Sequence, residues 1–237
     1  MKIALFGYGK MGKEIEQIAL QRNHTIVLKI DKKNIENVTT QQLQQADVAI
    51  EFSTPNTVIE NMYKCFDANL PIVAGTTGWY TNFDEIKSAC LKNNQSFFYA
   101  TNFSLGVNLF FKMNEQLAKM MNNFPDYEVA MQEVHHVHKL DKPSGTAITT
   151  AEKIMANNSQ KNKWSIENNT DKNLFIDVVR KDEVPGTHTV SYTSAVDEIS
   201  ITHKAYNRKG FALGAVLAAE FIQNKKGVYT MSDLLNF

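Results

Sequence analysis

The stretch EVHHVHKLDKPSGTA, residues 133–147, sets His135, His136, His138, Lys139 and Lys142 before a Pro-Ser-Gly-Thr turn. Imidazoles exchange protons near neutral pH, and a lysine ammonium is a point charge for carboxylates. Pro143 interrupts regular structure, Ser144 or Thr146 can cap a helix, and the N–H groups of its first turn would face outward. These residue types suit an acid–base site for a small carboxylate anion. Zinc would need three or four ligands within about 2.0–2.3 Å of the ion. Read as a strand, the segment puts His136 and His138 on one face and His135 on the other. Lys139 and Lys142 would repel a cation beside them, so no metal is expected. Nucleic acid would require aromatic residues among the charges. A solvated basic loop is the remaining alternative.

A second group with chemistry is GYGKMG, comprising Gly7, Tyr8, Gly9, Lys10, Met11 and Gly12. It follows the apolar run KIALF and opens a stretch of helical spacing, the setting a G-x-G-x-x-G cradle requires. Gly7 permits a tight turn, Gly9 lets backbone approach a pyrophosphate, and Gly12 allows close helix–strand packing. Asp31 follows at about the twenty-residue distance where a carboxylate holds a ribose diol. Lys32 and Lys33 beside it, and Lys10 in the loop, could pair with a 2′-phosphate. Either NADH or NADPH is therefore expected as cofactor. Three further loops, FSTPNT (52–57), GTTGW (75–79) and ATNFS (100–104), offer small hydroxyl and amide groups for ribose and nicotinamide.

The elements that must position these residues follow two rhythms. Strand-like runs at 2–6, 25–30, 47–52, 71–75 and 96–100 alternate with helical stretches at 11–19, 56–68 and 82–93, with an abbreviated helix between Asp31 and Asp47. That alternation implies a parallel sheet with helices on both faces and ligands beyond its carboxyl edge. After Phe103 the pattern becomes a long amphipathic helix (106–124), a strand (127–136), a helix from Gly145, and strands at 174–180, 188–194 and 198–205. A last apolar helix over 211–227, closed by Gly227, is expected to pack back onto the first sheet. The polar segment 157–173 reads as a surface excursion. The fold class is α/β: an N-terminal Rossmann-type parallel-sheet domain plus a central α+β domain with an open mixed sheet. The boundaries are 1–103 with 206–237 for the dinucleotide-binding domain and 104–205 for substrate binding and oligomerisation.

The totals describe an ordinary soluble globular protein. Twenty-five basic residues balance twenty-five acidic ones, so no global field draws the chain to nucleic acid or an anionic membrane. The N-terminal apolar run is too short and too glycine-broken for a signal peptide or a membrane span. Cys65 and Cys90 lack metal or redox spacing and read as buried thiols of a cytoplasmic protein.

The histidine stretch fits E-x-H-H-x-x-K-x-D-x-P-S-G-T-A at every fixed position and resembles the signature of the 4-hydroxy-tetrahydrodipicolinate (dihydrodipicolinate) reductase family. GYGKMG, GTTGW, ATNFSLGVN, EISITHKA and AYNRKGFALGAV extend the likeness over nearly the whole chain. The resemblance implies NADH- or NADPH-dependent reduction of a cyclic dicarboxylate in lysine and diaminopimelate synthesis, by a homotetramer assembled through the open sheet. By position it implies His135 as proton donor with Lys139 its partner, and His136, Lys139, Gly145 and Thr146 as substrate contacts. It implies Gly7 to Gly12, Asp31, Lys32, Gly75, Thr76, Thr77, Ala100, Thr101, Asn102, Phe103 and Arg208 as cofactor contacts. The chain departs from the family in a first loop one residue shorter, in Lys10 where arginine is usual, and in trimmed segments at 31–47 and 156–174. Two rivals remain. One is another two-domain NAD(P)-dependent dehydrogenase of sugars, small carboxylates or amino acids, though the sugar group would carry Glu-Lys-Pro where this chain has ATNFS; the other, a non-enzymatic dinucleotide-sensing module, would leave His135 and Lys139 without a use.

Overall fold

The computed structural model describes residues 1–167, 170 and 172–237. The chain forms two compact units, Met1–Leu105 with Arg208–Phe237, and Gly106–Asn207.

In the first unit, β1 (Lys2–Phe6), β2 (Thr25–Ile30), β3 (Val48–Glu51), β4 (Ile72–Ala74), β5 (Ser96–Tyr99) and β11 (Gly227–Tyr229) form a six-stranded sheet ordered β11-β5-β4-β3-β1-β2. Each pairing is parallel. The central strands are buried on both faces, which is why they read as continuous apolar runs. On one face, α1 (Lys10–Gln21) and α7 (Lys209–Ile222) bury Ile15, Ala19, Ala215, Val216 and Ala219 against Ile3, Leu5, Ile50 and Phe98. On the other, α2 (Thr40–Leu43), α3 (Val58–Asp67) and α4 (Phe83–Lys92) bury Leu43, Met62, Cys65 and Cys90 against Ala4, Phe6, Ile72 and Phe97. Both cysteines are free, buried thiols. The abbreviated helix expected before Asp47 is α2, a single turn held by a Thr39–Gln42 capping box.

The carboxyl end of this unit differs from expectation. α7 stops at Ile222, and Gly227 (φ +123°) opens β11, donating its N–H to the Gln95 carbonyl at 2.8 Å. A short helix, α8 (Met231–Leu235), follows.

In the second unit, β6 (Glu128–His135), β7 (Lys163–Ser165), β8 (Asn173–Arg180), β9 (Thr187–Thr193) and β10 (Glu198–Lys204) make a mixed sheet ordered β10-β9-β6-β8-β7. β6 runs antiparallel to β9 and parallel to β8. Alternate residues Val129, Met131, Leu174, Ile176, Val190 and Tyr192 face the core, covered by α5 (Leu105–Met121) and α6 (Gly145–Met155). The opposite face carries Gln132 bonded to Asp177, and Thr189 bonded to Thr202, all exposed pairs. β7 lies in the segment read as a surface excursion; the rest of that segment includes residues 168, 169 and 171, outside the described residues.

Candidate active site

The end of β6 is where the chemistry converges, and it differs from the strand reading of the histidines. β6 stops at His135, and a turn closed by the Lys139 N–H on the His136 carbonyl (3.1 Å) carries His138 into solvent. His136 and His138 therefore do not share a strand face. His138 Nε2 meets Glu183 at 3.4 Å, an exposed pair. The Lys139 ammonium holds Asp141 at 2.8 Å, and this lysine outweighs burial to lower the Asp141 carboxyl.

Ser144 caps α6: its side chain accepts the Ala147 N–H at 3.2 Å. The first turn thus begins at Gly145, where a Cβ would meet nothing within 4 Å. The helix start there opens onto space a small anion can enter. Thr146 stands half-buried beside it.

Beneath this surface lies a group the sequence reading did not find. Glu133 is fully buried, two residues before His135 on the same strand, and its carboxylate faces four groups. Ser144 N–H reaches both oxygens at 3.1 and 3.2 Å, and Arg180 Nη2 reaches Oε1 at 3.1 Å. His135 Nδ1 lies 3.4 Å and His188 Nε2 3.7 Å from Oε2. Burial alone would raise this carboxyl, but His135, His188 and Ser144 outweigh it and hold it well below the ordinary carboxylate range. His188 also touches the Ser144 hydroxyl at 3.1 Å and stands edge-on to His135, with ring centres 5.0 Å apart. Burial lowers its pKa, with Glu133 opposing, so His188 stays neutral near pH 7. Glu133 and His188 are partners in the β6–β9 ladder, so 55 residues of sequence separate groups that share one rung.

Among the described residues, the metal-competent trio is Glu133, His135 and His188, with donor atoms within 4.8 Å of one another, rather than the three sequential histidines. The Ser144 N–H and the Arg180 guanidinium are already aimed at the Glu133 oxygens.

In the first unit the glycine loop has the form a dinucleotide requires. Gly7 takes φ +87°, and a Cβ there would lie 2.0 Å from the Phe52 carbonyl oxygen. A Cβ on Gly12 would lie 2.3 Å from the Gly7 oxygen, whereas on Gly9 it would meet nothing within 4 Å. Gly9 caps α1 without a side chain, leaving the approach to the helix start clear. The loops after β1 and β3 leave the sheet edge where the strand order reverses, the position at which such sheets bind ligands. The remaining candidates are spread along this unit. Tyr8 is tied to Glu16 and Lys29, with Lys29 Nζ 3.2 Å from its hydroxyl. Asp31 is exposed and its Oδ1 accepts the Lys33 N–H at 2.8 Å, while Lys10 and Lys32 are exposed. Thr76 accepts the Ser53 N–H at 2.8 Å, and Thr77, Thr101 and Arg208 are exposed. Ala100 and Phe103 are buried in the core, Phe103 against Phe52 and Phe98.

The sequence reading also missed Glu51. It is fully buried at the end of β3, accepts the Ser53 N–H at 3.0 Å, and is raised in pKa by burial. With Ser53 it joins the loop after β3 to Thr76 in the loop after β4. An acid closing the apolar run after Asp47 in DVAIEF was its only sequence signal.

Comparison with known proteins matches nearly the whole chain. The family model described as "Dihydrodipicolinate reductase, N-terminus" matches residues 1–103, and "Dihydrodipicolinate reductase, C-terminus" matches residues 106–235. The chain belongs to the dihydrodipicolinate reductase family. A 4-hydroxy-tetrahydrodipicolinate reductase of Christiangramia forsetii is 48% identical over 236 residues, covering 100% of this chain and 98% of that protein. One from Thermosipho africanus is 34% identical over 237 residues, covering 99% and 98%. A dipicolinate-bound dihydrodipicolinate reductase from Paenisporosarcina sp. TG-14 superposes with a TM-score of 0.81 at 24% identity, covering 98% of both chains, and shows the shared fold. The α/β reading, with its parallel and mixed sheets, is that of the family.

Proposed function

We propose that this chain reduces 4-hydroxy-tetrahydrodipicolinate to tetrahydrodipicolinate at the expense of NADH or NADPH, in lysine and diaminopimelate biosynthesis. The substrate hydroxyl leaves as water, and one hydride and one proton are added. The observation that carries the residue roles is the end of β6. There, His135 stands on a buried carboxylate that also fastens the open first turn of α6.

When bound, NADH or NADPH supplies the hydride for the conjugated ring carbon, and the electron pair moves toward the ring nitrogen. His135 donates the proton that the resulting enamine needs on carbon, and Lys139 assists its delivery. The Gly145 and Thr146 amides take one substrate carboxylate; Lys139 and His136 balance the rest of the dianion. Gly7, Tyr8, Gly9, Lys10, Met11 and Gly12 cradle the pyrophosphate, with Asp31 and Lys32 at the adenosine ribose. Gly75, Thr76, Thr77, Ala100, Thr101, Asn102, Phe103 and Arg208 surround the rest of the cofactor, Phe103 and Ala100 through backbone, since their side chains are in the core.

On this reading residues 1–103 with 206–237 carry the cofactor, and residues 104–205 carry the substrate and the contacts of a cytoplasmic homotetramer. The exposed face of the mixed sheet supports that assembly, and the buried free thiols support a reducing compartment. Among the described residues, no helix is long and apolar enough to cross a membrane.

The test follows NAD(P)H absorbance with substrate generated in situ by dihydrodipicolinate synthase, comparing both cofactors. Consumption that requires the synthase product supports the reading. No consumption with either cofactor overturns it.

A further inference from the structure

We propose that Glu133 is the positioning residue of the reduction, one buried carboxylate that holds the proton donor, the anion-binding helix start and the lysine loop in a single frame. The inference rests on the roles given above to His135, Lys139, Gly145 and Thr146.

Ser144 and Arg180 hydrogen-bond Glu133, and two imidazoles approach it closely. His135 Nδ1 lies 3.4 Å from Glu133, which leaves Nε2 as the nitrogen for proton donation. Ser144 gives its N–H to both Glu133 oxygens and its hydroxyl oxygen to the Ala147 N–H, so the carboxylate fixes where Gly145 and Thr146 begin. Arg180 gives Nη2 to Glu133 at 3.1 Å and to the Asp141 carbonyl at 2.6 Å, and Nε to the Lys139 carbonyl at 3.3 Å. The lysine loop is thus pinned at its backbone while the Lys139 ammonium stays half-buried near the surface. His188 completes the shell by touching Ser144 and Glu133 from β9. Four elements meet on one anion, and none of these residues lies on the loop they organise by chance of sequence proximity alone: β8 and β9 reach it through the sheet.

The test uses the full chain with Glu133→Gln and Glu133→Asp, measuring kcat, substrate KM and NADH affinity. For Glu133→Gln the expected result is a fall in kcat of about 100-fold, the cost of roughly 1 Å of misplacement. A several-fold rise in substrate KM and an unchanged NADH affinity should accompany it. Glu133→Asp should recover at least about tenfold of the lost kcat. Wild-type activity with a Glu133→Gln variant within threefold in kcat and KM overturns the inference; an inactive wild type instead overturns the proposed function. Should Glu133→Gln not fold, His188→Asn and Arg180→Met carry the test. Arg180→Met should raise substrate KM more than it lowers kcat, and His188→Asn should lower kcat about tenfold. Both variants within threefold of wild type in both constants overturn the inference.

Discussion

Gly186 lies against the His135 ring: a Cβ at 186 would come within 3.0 Å of Nε2 and 3.2 Å of Cδ2, and its φ is +152°. The edge of the imidazole that is turned from Glu133 therefore faces bare backbone. Gly186→Ala must strain that backbone and displace the ring. We expect a loss of about 1–3 kcal/mol in stability and a kcat loss of about 100-fold. NADH affinity should be unchanged. Urea unfolding, steady-state kinetics and NADH fluorescence titration check the three parts.

Gly12→Ala makes the opposite division. Its Cβ would sit 2.3 Å from the Gly7 carbonyl oxygen, so the cradle must open. NADH and NADPH affinity should fall by at least about tenfold, equivalent to ~1.4 kcal/mol. A dicarboxylate such as dipicolinate should still bind, since its proposed contacts lie in residues 106–207. Isothermal titration with each ligand separately measures this.

Glu133 should also make the fold acid-sensitive. Its pKa is lowered from 4.5, so below that pH the unfolded chain takes up a proton that the folded chain refuses. The stability it contributes is full above about pH 4.5 and is lost as pH falls, by up to about 1.4 kcal/mol per unit. His188 acts in the same sense at higher pH: it is lowered from 6.5, so its contribution is full above that value and is lost below it. Urea unfolding of wild type and Glu133→Gln between pH 7 and 3 should show the wild type losing more between 4.5 and 3, by up to about 2 kcal/mol.

Lys139 is a half-buried cation of the loop, and its charge is balanced by Asp141 at 2.8 Å. Lys139→Met should lower kcat/KM for the dianionic substrate by about 100-fold or more. Asp141→Asn should cost far less, because it removes a competitor for the ammonium as well as a support. Kinetics at low ionic strength separate the two variants.

The fold was largely legible because its main signals are local. The glycine loop follows a strand and opens a helix, and apolar runs alternate with amphipathic helices from Lys2 to Tyr99. β7, β11 and α8 were missed because they are three to five residues long and gain their order from neighbouring elements. Gly227 looked like a helix stop, but its N–H answers Gln95, the residue just before β5, a contact that periodicity cannot reveal. His135 and Lys139 could be named from one motif. The continuation of β6 through His136 could not be judged, because the chain turns where Val137 bonds Asp182 rather than a ladder partner. Glu133 was visible only as a motif letter, and its meaning depends on Arg180 and His188, brought in from β8 and β9 by strand register.

The central claim is that His135 donates the proton. It is tested most directly by His135→Gln, assayed near pH 7 with NADPH and synthase-generated substrate, alongside NADPH titration of the same preparation. The account predicts a kcat lowered by about 10²–10⁴-fold, the usual worth of a positioned general acid, with NADPH affinity within about twofold of wild type. Turnover close to wild type with intact cofactor binding would contradict it.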